Sequence, residues 1–523
     1  MSKHFFVTTP IYYVNAAPHL GTAYTTIAAD CIARFKRSCG YDVSFVTGLD
    51  EHGQKIAETA EKNGCTPLAW CDKLAPAFKE CWEMLDIDYT DFVRTSSEAQ
   101  VRSVQKFWQK LYDDDYLYKD SYDGWYCIHE ETYYAESDLE KNDDGEFVCP
   151  ECKRPVKRAS GEENWFFKLS DFSDKLLEFY EDNPEFIRPE SRRNEIVSFV
   201  KSGLKDLSIS RSTFDWGVPY TFDKGHVAYV WADALIAYLT GIGYADESRT
   251  SEFEEAWPAD FHIVGKDITR FHCVIWPAML MAAGMPLPKC VFGHGFLLTK
   301  GEKMSKSKGN ALKPKDIVDI FGVDFYRYYF LSDVNFGADG SISMERMVQV
   351  YNSDLANTYG NLVSRALNMT KKYFDSLVPA PSKNAVNNPL YDIAKDLPSK
   401  VENSLNKLDF SGAVDAINEL THRANLYIEE MEPWNIAKDI NRTSDLSDVI
   451  YNILEAIRIA AISYSCFMPR TSREVVRRLG VLNFDLDFSA DLKWGGLRPG
   501  NKVEVGDALF PRLDIDIINS IEE

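Results

Sequence analysis

The chain has 523 residues, 45% of them hydrophobic, and a formal net charge of −22. That length suits two or three domains with sizeable cores, and the acidity argues against a protein that grips nucleic acid by general phosphate neutralisation. Local basic patches remain open, from Arg188, Arg192, Arg193, Lys201 and Lys205, or from Lys371 and Lys372. No apolar run is long enough to cross a bilayer, and Met1-Ser2-Lys3-His4 has no secretory pattern. Eleven scattered cysteines fit a reducing cytoplasm better than a disulfide framework.

Phe5-Phe6-Val7-Thr8-Thr9 reads as a buried strand that Pro10 ends. After His19-Leu20-Gly21-Thr22, apolar residues at Leu20, Tyr24, Ile27, Cys31 and Phe35 predict a helix, with Gly40 as its stop. Val43 to Val46 is the next strand. Strand–loop–helix–strand builds a parallel sheet, and the N–H groups at such a helix start suit phosphate. An insertion is expected from about Tyr116 to Tyr220. It holds Cys127 and the pair Cys149-Pro150-Glu151-Cys152. Cys-x-x-Cys is half of a tetrahedral zinc site. His129 or Glu130 would be the fourth ligand, and a knuckle held only by turns is the alternative. Trp231 and Tyr238, seven apart in an expected helix, taken alone would be core.

Lys303-Met304-Ser305-Lys306-Ser307, between Gly301 and Gly309, sets ammonium and hydroxyl groups on a bendable loop suited to a polyanion. Beyond it, 314–329, 344–374, 401–431 and 446–467 are predicted helices, with 378–398 as a loop, making an all-α bundle. Leu492 to Leu513, rich in turn residues, is expected to fold back on the body.

The lysine loop resembles the nucleotide loop of class I aminoacyl-tRNA synthetases. His19-Leu20-Gly21-Thr22 resembles their His-x-Gly-His element, with Thr22 in place of the second histidine. Further segments resemble the methionyl-tRNA synthetase family in that family's order: Thr47 to Gly53, Ser208 to Arg211, Tyr229 to Ala234, and Gly265-Lys266-Asp267-Ile268 with Phe271-His272. The implied fold is α/β: a Rossmann-like catalytic domain in two halves (1–115 and 221–295) around a connective insertion (116–220). A lysine-loop region (296–350) and an all-α anticodon-binding domain with its tail (351–523) follow.

The implied activity is ligation of L-methionine to tRNA(Met), using ATP with Mg2+, with Zn2+ as a further cofactor. The resemblance implies catalytic roles for His19, Thr22, Lys303 and Lys306. ATP would meet His19, Gly21, Asp267, His294, Gly295, Lys303, Ser305, Lys306 and Ser307. Methionine would meet Ile11, Tyr13, Asp50, Arg211, Trp231, Ala234, Leu235, Tyr238 and His272. Asn361, Arg365 and Trp434 would read the CAU anticodon. A cytoplasmic monomer is implied. The rivals are another class I synthetase, such as the cysteinyl enzyme, a small-molecule adenylyltransferase, and a non-catalytic tRNA-binding relative.

Overall fold

In the computed structural model, residues 3–127, 132–134, 136–142, 144–150, 152–299, 302–303, 313–383, 385–481 and 487–514 are described. The first strand, β1 (His4–Tyr13), alternates as a two-faced buried strand must. Phe5 and Val7 enter one core while Phe6 enters another. β1 runs past Pro10, contrary to expectation. Proline lacks the ladder N–H, and the chain accommodates it by a register shift between Thr8 and Ile11 against β2 (Asp42–Asp50). Helix α1 (Leu20–Ser38) lies between them and stops before Gly40, at φ +79°, as the sequence predicts.

With β3 (Asp91–Arg94), β4 (Ile187–Arg188), β5 (Phe261–Gly265) and β6 (Val291–His294), these strands form one parallel sheet in the order β3-β2-β1-β5-β6-β4. The order reverses between β1 and β5, and ligands bind beyond the strand C-termini at such a point. Gly48 lets β2 lie against β3, because a Cβ there would sit 2.1 Å from the Val93 carbonyl oxygen. β4 falls inside the expected insertion yet pairs with β6. At two residues it is too short to leave a periodic signal. The insertion's own sheet centres on antiparallel strands Leu117–Cys127 and Lys157–Phe167.

After β6 the chain forms a small sheet of β7 (Leu297–Thr299), β8 (Glu302–Lys303) and β9 (Gly340–Ile342). The helix expected over 314–329 is two, Pro314–Phe321 and α4 (Val323–Ser332), parted at Gly322 with φ +82°. Helices α2 (Val230–Ala234) and α3 (Ala237–Gly241) likewise replace the single helix expected to carry Trp231 and Tyr238.

The bundle contains α5 (Asn361–Phe374), Pro389–Asn406, α6 (Phe410–Met431) and α7 (Thr443–Ser463). Pro389–Asn406 overturns part of the loop expected over 378–398. Pro389 sits in its first turn, where no N–H is needed, and Asn388 caps it. The tail returns as expected, with Leu497, Val503 and Phe510 buried. The bundle and one face of the sheet share a single apolar cluster. Arg327 of α4, fully buried, ties the two together. Its guanidinium donates to Asp30 of α1 at 2.6 Å, to the Cys466 and Phe467 carbonyls, and to Leu85 O. Burial pushes the Asp30 carboxyl up, but Arg327 and Arg34 outweigh it and hold the group below its ordinary value.

Candidate active site

A cleft of about 460 Å³ opens at the C-terminal ends of the strands. Ile11 and Tyr13 of β1, Asp50 of β2, Gly265 of β5 and His294 of β6 line it. The start of α1 adds His19, Gly21, Thr22 and Thr25, and Trp231 and Asp267 close the sides. Residues scattered over nearly 300 positions thus meet because parallel strands end on one edge.

His19 is the N-cap of α1. Its Nδ1 accepts the Gly21 and Thr22 amides at 3.1 and 3.3 Å. With Nδ1 accepting, the neutral ring carries its proton on Nε2. Thr22 closes the capping box from the other side. Its hydroxyl accepts the His19 N–H at 3.0 Å and donates to the His19 carbonyl at 2.7 Å. The threonine hydroxyl therefore holds the histidine. His294 is buried. Its Nδ1–H donates to Gly295 O at 2.8 Å, which leaves Nε2 to accept from Thr25 Oγ1 at 2.7 Å. Burial lowers its pKa. Gly295 itself is absent from the cleft wall. A Cβ there would lie 2.1 Å from the Ala338 backbone, so this glycine admits the segment leading into β9.

Of the residues assigned to methionine, Ile11, Tyr13, Asp50 and Trp231 line the cleft. Ala234, Leu235, Tyr238 and His272 do not; they are buried. The Tyr238 hydroxyl lies 2.6 Å from His272 Nε2, and His272 Nδ1–H donates to Ile268 O at 3.0 Å. Burial pushes the His272 pKa down to about 4, so the ring is a neutral acceptor for the tyrosine proton. The His272 ring meets Trp231 edge-on at 6.4 Å, which places this pair behind the indole. Arg211 is also buried off the cleft wall. It donates to Ser208 Oγ and Ser210 O and lies over the Tyr229 ring at 4.5 Å.

Sequence reasoning did not find Asn15, Thr25, Lys55, Phe78 and Phe296, which also line the cleft. Thr25 follows Thr22 by three positions on one helical face and Asn15 follows a strand end, so both left a signal. Phe78 comes from the middle of helix Pro67–Met84 and left none.

Lys303 pairs in β8 with Leu298 of β7, so the lysine loop starts from the small sheet beside the cleft. Ser305, Lys306 and Ser307 lie outside the described residues. In the insertion, the sulfurs of Cys127, Cys149 and Cys152 lie within 4.8 Å of one another, with Cys127 and Cys152 at 3.6 Å. Tetrahedral zinc with bonds of about 2.3 Å sets its sulfurs roughly 3.8 Å apart, so the donor set fits. His129 and Glu130 lie outside the described residues. In the bundle, Asn361 is exposed at the start of α5 and Trp434 is 37% exposed in the turn Pro433–Ile436. Arg365 donates to Glu429 at 2.6 Å, which brings it to the end of α6 that leads into Trp434. Of the expected patch, Arg188, Arg192 and Arg193 bond within the chain, to Lys407 O, Glu195 and Tyr180 O, while Lys201 and Lys205 are exposed.

The family model for class I tRNA synthetases (M) matches residues 5–367, which sets the class to which this cleft belongs. The methionine–tRNA ligase of Caldanaerobacter subterraneus is 50% identical over 99% of this chain and 80% of its own length. That of Streptomyces coelicolor is 47% identical over 98% and 97%. Methionyl-tRNA synthetase of Mycobacterium tuberculosis, in complex with methionyl-adenylate, superposes with a TM-score of 0.94 at 41% identity, covering 98% of this chain and all of the other. Its apo form gives 0.88 at 38%. The chain belongs to the methionine–tRNA ligase family.

Proposed function

We infer that this chain activates L-methionine with ATP and transfers the methionyl group to tRNA(Met). The observation that carries this is the cleft at the sheet's switch point, lined by His19, Asp50 and Trp231, in a chain of which 98% matches methionine–tRNA ligases. In the first step the methionine carboxylate attacks the α-phosphorus of ATP, and pyrophosphate leaves. In the second the terminal ribose hydroxyl of the tRNA takes the methionyl group, and AMP leaves. Both steps depend on positioning and charge stabilisation.

In this reading Asp50 takes the α-ammonium. Ile11, Tyr13 and Trp231 enclose the thioether, which offers shape and sulfur–aromatic contact and almost no hydrogen-bonding handle. Tyr238 and His272, with Ala234 and Leu235, back that wall, and Arg211 acts from beneath. His19 Nε2–H donates to a phosphate oxygen, and Thr22 holds that ring. Gly21 lets the phosphates approach, and Asp267 and His294 face the nucleoside. Lys303, Ser305, Lys306 and Ser307 close over the triphosphate, with Mg2+ offsetting its charge.

Cys127, Cys149 and Cys152 would hold zinc with His129 or Glu130, a structural ion that fixes the insertion. Burial pushes the Cys152 thiol up to about 12, the Cys127 and Cys149 sulfurs adding to it, so metal binding would displace protons there. Asn361, Arg365 and Trp434 read the anticodon by edge contacts and stacking. The division 1–115, 116–220, 221–295, 296–350 and 351–523 assigns activation to the first four segments and anticodon reading to the last. A cytoplasmic monomer completes the reading. Among the described residues no helix is long and apolar enough to cross a membrane.

ATP–pyrophosphate exchange with each amino acid in turn tests this. Exchange with methionine alone is expected. Exchange with another amino acid would overturn the specificity. No exchange from folded protein with magnesium would favour a non-catalytic tRNA binder.

A further inference from the structure

Two of the motifs that carry the family resemblance have, as their next-to-last residue, a buried polar side chain for which the mechanism above has no use. His52 closes the run after β2, and Asp233 lies in α2. His52 Nδ1 and Asp233 Oδ2 are 2.6 Å apart, with both side chains buried. Each partner lies two residues beyond a side chain of the cleft wall, His52 after Asp50 and Asp233 after Trp231. Two positions along a helix turn a side chain about 200° away. Trp231 thus faces the cleft while Asp233 faces the body, and the pair joins the two walls from behind.

Each end is also tied to the frame. Gln100 donates to Asp233 Oδ1 at 2.8 Å and to Asp233 O at 2.9 Å, and Thr240 donates to Gln100 Oε1 at 2.7 Å. The His52 ring meets Trp216 edge-on at 5.0 Å, and the Trp216 indole N–H donates to Glu51 O at 2.6 Å. Glu51 is in turn held by Arg94 at 2.7 Å. The Trp231 indole stacks at 3.8 Å on Phe271, so its plane is set and its placement follows that of α2. The histidine–aspartate contact is a buried polar link between the Asp50 run and α2.

We propose that His52 and Asp233 are a positioning pair that sets the gap between Asp50 and Trp231, and so fixes the length of amino-acid side chain the site accepts. This rests on the reading in which Asp50 takes the ammonium and Trp231 walls the thioether. The gap matters because an apolar pocket discriminates poorly by chemistry. One methylene is worth only about 10- to 200-fold, and that much only if the walls do not move.

The test is pyrophosphate exchange with wild type, His52→Ala, His52→Gln and Asp233→Asn, measuring KM for methionine and for ATP separately. Ethionine, one methylene longer, serves as the competing substrate. For His52→Ala the methionine KM is expected to rise on the order of tenfold or more, the loss of a buried charge-assisted hydrogen bond. The ATP KM is expected to stay within about twofold, and the preference for methionine over ethionine to narrow. His52→Gln, which keeps a donor, is expected to recover much of the loss. A lowered melting temperature with both KM values and the preference unchanged would overturn the proposal, as would equal rises in the two KM values. If His52→Ala does not fold, His52→Gln and Asp233→Asn carry the same comparison. A wild type that failed to exchange with methionine would remove the underlying reading. A competent wild type without the KM split would remove only the positioning pair.

Discussion

Replacing Thr22 by valine keeps the shape of the side chain and removes the hydroxyl that grips His19. The hydroxyl accepts from His19 N–H and donates to His19 O, at 3.0 and 2.7 Å, at an exposed helix start. Exposed hydrogen bonds sit at the low end of the usual range, so about 0.5 kcal/mol each is reasonable, or about 1 kcal/mol for the pair. If all of it is felt where His19 meets the developing charge, the rate of activation falls about fivefold. The assay is kcat for pyrophosphate exchange at saturating methionine and ATP. Thr22→Ser keeps the oxygen and should stay near wild type. Thr22→His restores the family's imidazole but loses the capping hydroxyl, and is expected to slow the enzyme. A Thr22→Val enzyme as fast as wild type, or a Thr22→Ser enzyme as slow as Thr22→Val, would show that the hydroxyl does not hold the histidine.

Arg327→Met leaves the buried Asp30 with the Arg34 guanidinium and the Asp88 amide, and about 3–5 kcal/mol of stability should be lost, read as a lower thermal midpoint. A midpoint within about 1 °C of wild type would refute it. Gly295→Ala drives a Cβ to 2.1 Å from the Ala338 backbone, which no side-chain rotation relieves. A cost at or above the usual 1–3 kcal/mol of overpacking is expected in urea unfolding. His272 makes stability fall with acid. The unfolded imidazole binds a proton below about pH 6.5, while the folded one, with its pKa pushed to about 4, does not. Between pH 6.5 and 5 roughly 1–2 kcal/mol should therefore be lost through this group, and His272→Gln should make that part of the profile less steep. Metal analysis should find about one zinc per chain, lost in Cys149→Ser; metal-free protein of unchanged thermal midpoint would refute the knuckle.

The opening of the fold was legible because its signals are local. Buried aromatics and β-branched residues mark β1, five apolar positions mark α1, and Gly40 ends it. Two of the misses turn on proline, read as a stop at Pro10 and as loop chemistry over 378–398, where packing decided otherwise. Pro10 stays in β1 because the sheet absorbs a register shift, and Pro389 opens a helix because Asn388 caps it. Gly322 and the break between α2 and α3 split helices that periodicity would run together. β4 was invisible because its two residues become a strand only through β6.

The site divides in the same way, by whether a residue's role is written in its neighbours along the chain or across the fold. Those that reach the cleft at strand ends, Ile11, Tyr13, Asp50 and His294, come from the family resemblance, because the strands expected at Phe5–Thr9 and Val43–Val46 stop short of Ile11 and Asp50. A motif does not separate the side chain that meets the substrate from the one that holds it. Trp231 and Asp233 share one motif, yet the first lines the cleft and the second is buried against His52. Tyr238, just beyond one matching segment, and His272, at the end of another, form a second layer, because α3 turns the tyrosine inward and Ile268 O fixes the histidine's tautomer. Thr22 shows the converse. By residue type it looked like a weakened copy of a catalytic histidine. In place it is the third residue of a capping box, and its short side chain can reach both backbone atoms of His19. An imidazole at that position would present charge to the phosphates, whereas the threonine hydroxyl fixes the backbone of the histidine that remains.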